Sequence, residues 1–194
     1  MQLAVSSDQE LVKLYIEGSQ AALEALIKKH KRKIYTSIFL LVKEKQLAED
    51  IFQETFIKVI NTLRGGAYNE EGKFLPWVMR IAHNLVIDHF RREKRMPTVR
   101  DTEEYSIFDT LDLTEENVQD KLVRQQIYNE VRELVEQLPV EQKEVLMMRH
   151  YADMSFKEIA DVTNVSINTA LGRMRYALIN LRKLIDKRKL SLEA

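Results

Sequence analysis

Cysteine is absent from this chain of 194 residues, and glycine and proline are scarce, with five and three residues. Without cysteine the chain has no disulfide scaffold, thiolate metal site or cysteine nucleophile, and it suits a reducing cytoplasm. The shortage of helix-breaking residues favours an all-α protein. No apolar run approaches the ~20 residues that a membrane span needs, and the N-terminus lacks the basic and apolar regions of a signal peptide. We therefore expect a cytoplasmic, mainly helical protein.

Basic charge is missing from one stretch of the chain. The net charge is zero, yet residues 101–120 hold eight acidic side chains and no lysine or arginine. Residues 1–100 hold 17 basic and 12 acidic side chains, and residues 121–194 hold 13 and 10, so two basic parts flank an acidic connector. Clusters of basic charge are typical of phosphate binding, although solvated helix faces give the same pattern. The neutral total therefore does not exclude a nucleic-acid partner.

Four helices are predicted in the first half of the chain, because apolar residues recur there at three-and-four spacing. Ser7 and Glu10 have the spacing of a capping box, with a hydroxyl and a carboxylate three residues apart, just before the first apolar pattern. That pattern ends at Gly18. The four predicted helices cover about residues 8–16, 19–43, 46–63 and 76–95.

A loop is predicted between the third and fourth helices, where Arg64 to Lys73 contain three of the five glycines. Pro76 suits the first turn of the helix that follows. Large aromatic residues on an amphipathic helix are usually buried, so Phe74 and Trp77 are interpreted as core residues. The predicted buried stripe of the fourth helix consists of Trp77, Ile81 and Leu85.

The second half of the chain resembles a helix-turn-helix. Helices are predicted over about 115–136 and 140–151, and a capping box at Ser155 and Glu158 opens a short helix. Asn164 is a candidate for a left-handed turn, and Ser166 can cap a long basic helix that runs to about residue 187. The predicted buried stripe of this last helix consists of Ala170, Leu171, Met174, Leu178, Leu181 and Ile185.

Two helices joined by so short a turn can place the second helix in the major groove of DNA, where its side chains reach base edges and phosphates. A packed helical hairpin with a solvated basic face is the alternative interpretation. No phosphate-binding Gly-Lys-Ser/Thr loop is present, and His83, Asp88 and His89 do not match a metal-binding spacing. We therefore expect no metal, cofactor or catalytic residue.

Three segments together resemble a known family. They are DIFQETF at residues 50–56, FLPWVMRIAHNLVIDHFRR at residues 74–92, and the stretch from LPVEQKEV to INLRK at residues 138–183. In this order they resemble regions 2.2, 2.3–2.4 and 4 of bacterial RNA polymerase sigma factors of the extracytoplasmic-function (ECF) group, within the sigma-70 family. The resemblance spans about residues 20–95 and 125–187.

The resemblance implies an all-α protein with two small helical domains and a division of labour between them. Residues 1–96 would form a region 2-like domain, residues 97–120 an acidic linker, and residues 121–194 a region 4-like helix-turn-helix domain. The implied partners are core RNA polymerase (through the clamp of its largest subunit and its flap), promoter DNA and an anti-sigma factor. The polymerase, not the sigma factor, performs the chemistry.

The resemblance also assigns roles to individual residues. Docking on the core polymerase falls to Asp50, Gln53 and Glu54. Contacts to the opened −10 strand, with Tyr68 as the candidate for base stacking, fall to Arg64, Tyr68, Asn69, Lys73, Arg80, His83, Asn84, Arg91 and Arg92. Contacts to the −35 duplex fall to Ser166, Asn168, Thr169, Arg173, Arg175 and Tyr176.

Other interpretations remain open on sequence alone. A stand-alone helix-turn-helix transcription regulator would explain the C-terminal half but not the DIFQETF helix or the segment after it. An enzyme and a helical adaptor without nucleic acid are two further alternatives. For the acidic linker, the alternatives are mimicry of RNA in a polymerase channel, coverage of the protein's own basic faces, and a solubilising spacer.

Overall fold

The computed structural model of the protein describes residues 6–69, 72–95, 130–131 and 133–188, with residues 94 and 95 as backbone only. These residues are helical or lie in turns, and none of them is in a strand, so the all-α prediction is confirmed. No helix within the described ranges is long and apolar enough to cross a membrane. The chain divides into two compact units, one holding the first four helices and the other most of the rest.

The N-terminal unit is built from four helices. They are α1 (Asp8–Ile16), α2 (Gln20–Val42), α3 (Lys45–Arg64) and α4 (Phe74–Arg95). Helix α2 packs against each of the other three, and α3 packs against α4. The predicted helix positions are therefore confirmed to within a few residues.

Local chemistry fixes where the helices of this unit begin and end. The Ser7 backbone N–H donates to Glu10 Oε2 at 2.9 Å, and the Glu10 N–H donates to Ser7 Oγ at 3.3 Å, which completes the predicted capping box. Helix α2 ends where Lys43 adopts a left-handed conformation with φ 56°. Glu44 is the N-cap residue of α3, which begins at Lys45.

The buried stripe of α4 differs from the prediction. Phe74 is fully buried, as predicted, and Leu85 is buried too. Trp77 and Ile81, however, are only half-buried, so their assignment to the core stripe was wrong. The reason is the direction in which α4 packs against α2 and α3, because the other buried residues lie one or two positions from the predicted ones, at Leu75, Val78, Met79, Ala82 and Val86.

The C-terminal unit contains three further helices, α5 (Val140–His150), α6 (Phe156–Thr163) and α7 (Ile167–Arg188). Residues 133–136 are also helical, and their Leu134 is fully buried. Helix α5 packs against α7. Asn180 Nδ2 of α7 donates to Gln142 Oε1 of α5 at 2.9 Å and fixes the register of this pair.

Several predictions fall outside the described residues. The acidic linker at residues 97–120, the start of the helix predicted at 115–136 and the proposed domain boundaries at residues 96 and 120 lie there. The domain limits of 1–96, 97–120 and 121–194 therefore stay predictions.

Candidate nucleic-acid interface

Local structure defines the start of α6 and the turn between α6 and α7. Ser155 and Glu158 form the predicted capping box at the start of α6, with bonds of 2.8 and 3.2 Å. Asn164 adopts φ 55°, the left-handed conformation predicted for it. The Thr169 N–H donates to Ser166 Oγ at 3.0 Å, so Ser166 caps α7 as predicted. The result is a three-residue connector that joins a short helix to a long one, as in a helix-turn-helix.

A second loop orients α6 with respect to α5. Arg149 Nη1 donates to the Met154 carbonyl oxygen at 2.9 Å, and its guanidinium carbon lies 5.6 Å from the centre of the Phe156 ring. Asp153 completes the loop with φ 58°. Arg149 therefore has a structural role, which the sequence analysis did not identify because its partners are defined only by the folded loop.

The N-terminal turns of α7 present polar side chains to solvent. Ser166, Asn168, Thr169 and Arg175 are exposed, and Tyr176 is 60% exposed. Arg173 is half-buried. The residues predicted to contact the −35 duplex therefore lie together at one end of a capped helix, the part that enters the major groove in helix-turn-helix proteins.

The buried stripe of α7 is narrower than predicted. Ala170 and Met174 are buried as expected, and Ala177 joins them. Leu171 and Leu178, however, are 43% and 42% exposed, so their assignment to the core was wrong. Small alanines at positions 170 and 177 face α5, and the two leucines, each one residue further along, point to one side of the contact.

A second candidate surface lies on α3. Asp50, Gln53 and Glu54 are exposed on one helical face, as predicted from their i, i+3, i+4 spacing. Ile57 continues this face at i+7 and is 57% exposed. The Glu54 carboxylate lies 3.4 Å from the Lys58 ammonium group. Ile57 was not among the predicted site residues, although its position seven residues after Asp50 places it on the same face.

The end of α3 and the residues after it hold the first part of the predicted −10 surface. Arg64 is exposed, and its Nε donates to the Tyr15 hydroxyl of α1 at 3.1 Å. Asn69 and Lys73 are exposed. Tyr68 is half-buried, and its ring centre lies 4.2 Å from that of Trp77. Tyr68 is therefore packed on an aromatic partner in the free protein.

Helix α4 supplies the rest of this surface. Arg80, Asn84, Arg91 and Arg92 are exposed, and His83 is half-buried. Trp77 lies three residues before Arg80 and seven before Asn84, so these three side chains share one helical face. This face ties Trp77 to the candidate site, and the spacing of 77, 80 and 84 could have revealed it. Among the described residues no group of three or more His, Cys, Asp or Glu could hold a metal ion.

A cluster of His30, Asp8 and Lys29, of which only His30 is buried, lies next to the start of α4. His30 is buried, its Nε2 lies 2.9 Å from Asp8 Oδ2, and its ring centre lies 5.7 Å from that of Phe74, the first residue of α4. Lys29 Nζ lies 2.8 Å from the other Asp8 oxygen. Burial lowers the pKa of His30, although the Asp8 carboxylate opposes this effect. Burial alone would raise the pKa of Asp8, but hydrogen bonds from Lys29 and His30 outweigh it and lower the pKa.

Comparison with known protein families gives two ordered matches. The Sigma-70 region 2 model matches residues 26–96, and the Sigma-70, region 4 model matches residues 128–176. Together the two matches cover more than half of the chain. They fall on the two candidate surfaces, because the first includes α3 and α4 and the second ends within α7.

Similar proteins agree with these matches over almost the whole length. The RNA polymerase sigma-H factor of Pseudomonas aeruginosa is 29% identical over 189 residues, which cover 95% of each chain. The ECF RNA polymerase sigma factor SigW of Bacillus subtilis is 26% identical and covers 89% of this chain and 93% of its own. Among solved structures, the sigma factor RpoE from Bartonella quintana, in complex with the anti-sigma factor NepR, has a TM-score of 0.64 at 15% identity and covers 84% of this chain and 96% of its own.

A helix-turn-helix, a separate helical unit with an exposed acidic face, and two family matches in order define a bacterial transcription initiation factor. The chain belongs to the sigma-70 family, in its extracytoplasmic-function group. The resemblance of residues 50–56, 74–92 and 138–183 to this family is confirmed, and the function is that of a sigma factor and not of a stand-alone regulator.

Proposed function

We propose that this sigma factor docks on core RNA polymerase through α3, binds the opened −10 strand with the end of α3 and with α4, and reads the −35 duplex with α7. The observation that carries the proposal is the placement of exposed polar residues in regions 2 and 4. The helices α3, α4 and α7 expose these residues on one face and are buried on the opposite face. The polymerase performs the chemistry. The sigma factor has no catalytic residue and no cofactor of its own, and it acts in the cytoplasm, where promoter DNA is transcribed.

The docking surface is the exposed face of α3. Asp50, Gln53 and Glu54 supply two carboxylates and an amide, and Ile57 supplies an exposed apolar side chain beside them. An apolar residue with polar neighbours is typical of protein interfaces, in which a few central residues carry most of the binding energy. We therefore place the clamp of the largest polymerase subunit on this face.

The −10 surface combines aromatic groups with cations. Single-stranded DNA is bound by stacking its bases on aromatic rings while basic side chains hold the phosphates. Trp77 and Tyr68 supply the rings. Arg80 and Arg91 are exposed on α4, the helix that also carries Trp77, and they supply positive charge. Separation of the 4.2 Å Tyr68–Trp77 pair by an extruded base would let each ring stack on DNA.

The −35 surface is the first half of α7. The Ser166 hydroxyl accepts from the Thr169 N–H at 3.0 Å and also lies 2.8 Å from the Thr169 hydroxyl, so it fixes the start of the helix. Asn168 and Thr169 are exposed at this start. Arg175 adds a cation about two turns later. Such an arrangement allows base-edge contacts from the first turn and phosphate contacts from the basic residues behind it.

A protein partner is also part of the proposal. RpoE of Bartonella quintana has been solved with an anti-sigma factor, and this chain carries exposed apolar side chains on α7 at Ile167, Leu171 and Leu178. Exposed apolar groups on one helix are typical of protein contacts. We propose that an anti-sigma factor holds this protein inactive.

The decisive experiment adds the protein to core RNA polymerase and sequences the 5′ ends of the transcripts made on genomic DNA. We expect new start sites that share two upstream elements. The matched control carries Asp50→Ala and Glu54→Ala, and we expect it to lose these starts while it remains folded. Absence of new starts with the unmodified protein, together with tight duplex binding without polymerase, would favour a stand-alone regulator.

A further inference from the structure

Helix α1 contacts the residues on both sides of the glycine-containing connection between α3 and α4. The Tyr15 hydroxyl accepts from Arg64 Nε at the end of α3. Near the start of α4, Gln9 lies against Gly72, where a Cβ would come within 3.0 Å of the Gln9 amide nitrogen. Helix α1 lies before residue 26, where the region 2 match begins, so the family match assigns it no role.

Helix α1 is held firmly enough to act as a support. Leu11, Val12 and Tyr15 are buried. At the N-terminal end, Asp8 pairs with His30 and Lys29 of α2 at 2.9 and 2.8 Å. Tyr15 is only 5% exposed, so its hydroxyl has a fixed position from which to accept a hydrogen bond.

From this geometry we propose that Tyr15 is a positioning residue for the −10 strand, which it affects by holding Arg64. The inference rests on the proposed function, in which Arg64 contacts the opened strand. An unrestrained arginine samples many rotamers, and fixing one on binding carries an entropic cost. The bond to Tyr15 uses Nε, and the two terminal nitrogens of the guanidinium group form the end that binds phosphates and base edges bidentately.

Four forms of the protein test this inference, each assembled with core polymerase. They are the unmodified chain, Tyr15→Phe, Arg64→Ala and the double variant. Tyr15→Phe keeps the buried ring and removes only the oxygen that accepts from Arg64. The probe is a fluorescent single strand carrying the −10 element of a promoter identified by transcript sequencing, and the measurement is its affinity for the holoenzyme.

We expect Arg64→Ala to weaken binding of the strand about tenfold and Tyr15→Phe about fivefold, the range of a typical single hydrogen bond. In the double variant the loss should equal that of Arg64→Ala alone, because Tyr15 acts through Arg64. Arg64→Lys keeps the charge but lacks Nε, so Tyr15→Phe should have no further effect in that background either.

A matched control is Tyr35→Phe, which removes a phenolic hydroxyl from the same unit at a position that contacts Phe39 and Phe52. We expect it to leave the affinity for the strand unchanged. Losses from Tyr15→Phe and Arg64→Ala that multiply in the double variant would overturn the inference, as would an effect of Arg64→Ala without one of Tyr15→Phe. No effect of Arg64→Ala itself would instead remove Arg64 from the proposed −10 surface, and the positioning role with it.

Discussion

Lys143 of α5 is 3% exposed, and its ammonium group lies 2.7 Å from Glu136 Oε2 and 3.1 Å from the Glu136 carbonyl oxygen. Lysine is almost never so deeply buried unless its charge is paired. The two residues are seven apart and lie on either side of Pro139, so the pair ties the segment at 133–136 to α5. This contact therefore helps to orient the start of the helix-turn-helix unit.

Replacement of this lysine by methionine tests that role. Lys143→Met keeps the aliphatic volume but leaves both Glu136 oxygens without their ammonium partner. Because the Glu136 side chain is 32% exposed and water can reach it, we expect a loss of about 1–3 kcal/mol in the stability of this unit. Hydrogen exchange of the amides at residues 140–150 measures it. Lys157→Met, at an exposed position of α6, should leave the exchange unchanged, and equal exchange in both variants would contradict the assignment.

Burial of His30 makes the N-terminal unit sensitive to acid. Because the pKa of His30 is lowered below 6.5 in the folded protein, the unfolded chain takes up a proton at a pH where the folded chain does not. Stability is then full above about pH 6.5 and is lost as the pH falls through the folded value. The lowered pKa of Asp8 adds a dependence of the same sign at lower pH, below about 3.8.

Urea unfolding followed by fluorescence checks this dependence, because the single tryptophan, Trp77, lies in this unit. We expect the unfolding midpoint to fall between pH 7.5 and pH 5.5, and to fall less in His30→Gln. His150→Gln, at an exposed position in the other unit, is the control and should retain the full decrease. An unfolding midpoint that rises on acidification would contradict the predicted direction of the pH dependence.

Sequence predicted those features that depend on neighbours three or four residues away. The capping serines Ser7, Ser155 and Ser166 and the left-handed Asn164 were found because each bond or conformation is local. The prediction of the buried stripe of α7 was only partly right, because whether Leu171 is buried depends on how α5 packs against α7.

The residues of the candidate site could also be predicted only where they depend on local spacing. The exposed face of Asp50, Gln53 and Glu54 follows from helical spacing alone. The bond between Tyr15 and Arg64 joins residues 49 positions apart, and no periodicity in the sequence predicts it. Trp77 was assigned to the core because large aromatics usually are buried, yet the packing of α4 leaves it half-exposed beside Tyr68.

The proposed docking face on α3 gives a prediction for polymerase affinity. Asp50→Ala and Ile57→Ala should each weaken binding to core polymerase about tenfold, because central residues of an interface carry most of its energy. Stability should change by less than about 0.5 kcal/mol, since both side chains are exposed. Titration of labelled protein with core polymerase provides the affinity. Glu24→Gln removes an exposed carboxylate from α2 of the same unit, and a loss as large as that of Asp50→Ala would argue for a general charge effect.

Ser166 allows the folding of α7 to be separated from its contact with DNA. Ser166→Ala removes the cap of the helix, so we expect a loss of about 1 kcal/mol in stability and weaker −35 binding through fraying of the first turn.

Ser166→Asp retains an oxygen that can accept from the Thr169 N–H and so should keep the stability. It also places a negative charge beside the DNA phosphates, which should weaken −35 duplex binding about tenfold at low salt and less at high salt. Equilibrium unfolding of the full chain measures the stability, and fluorescence anisotropy of a labelled −35 duplex with the assembled holoenzyme measures the binding. If Ser166→Asp binds the duplex as tightly as the unmodified protein, the N-terminus of α7 does not approach the DNA backbone, and the −35 contacts must lie further along the helix, around Arg175 and Tyr176.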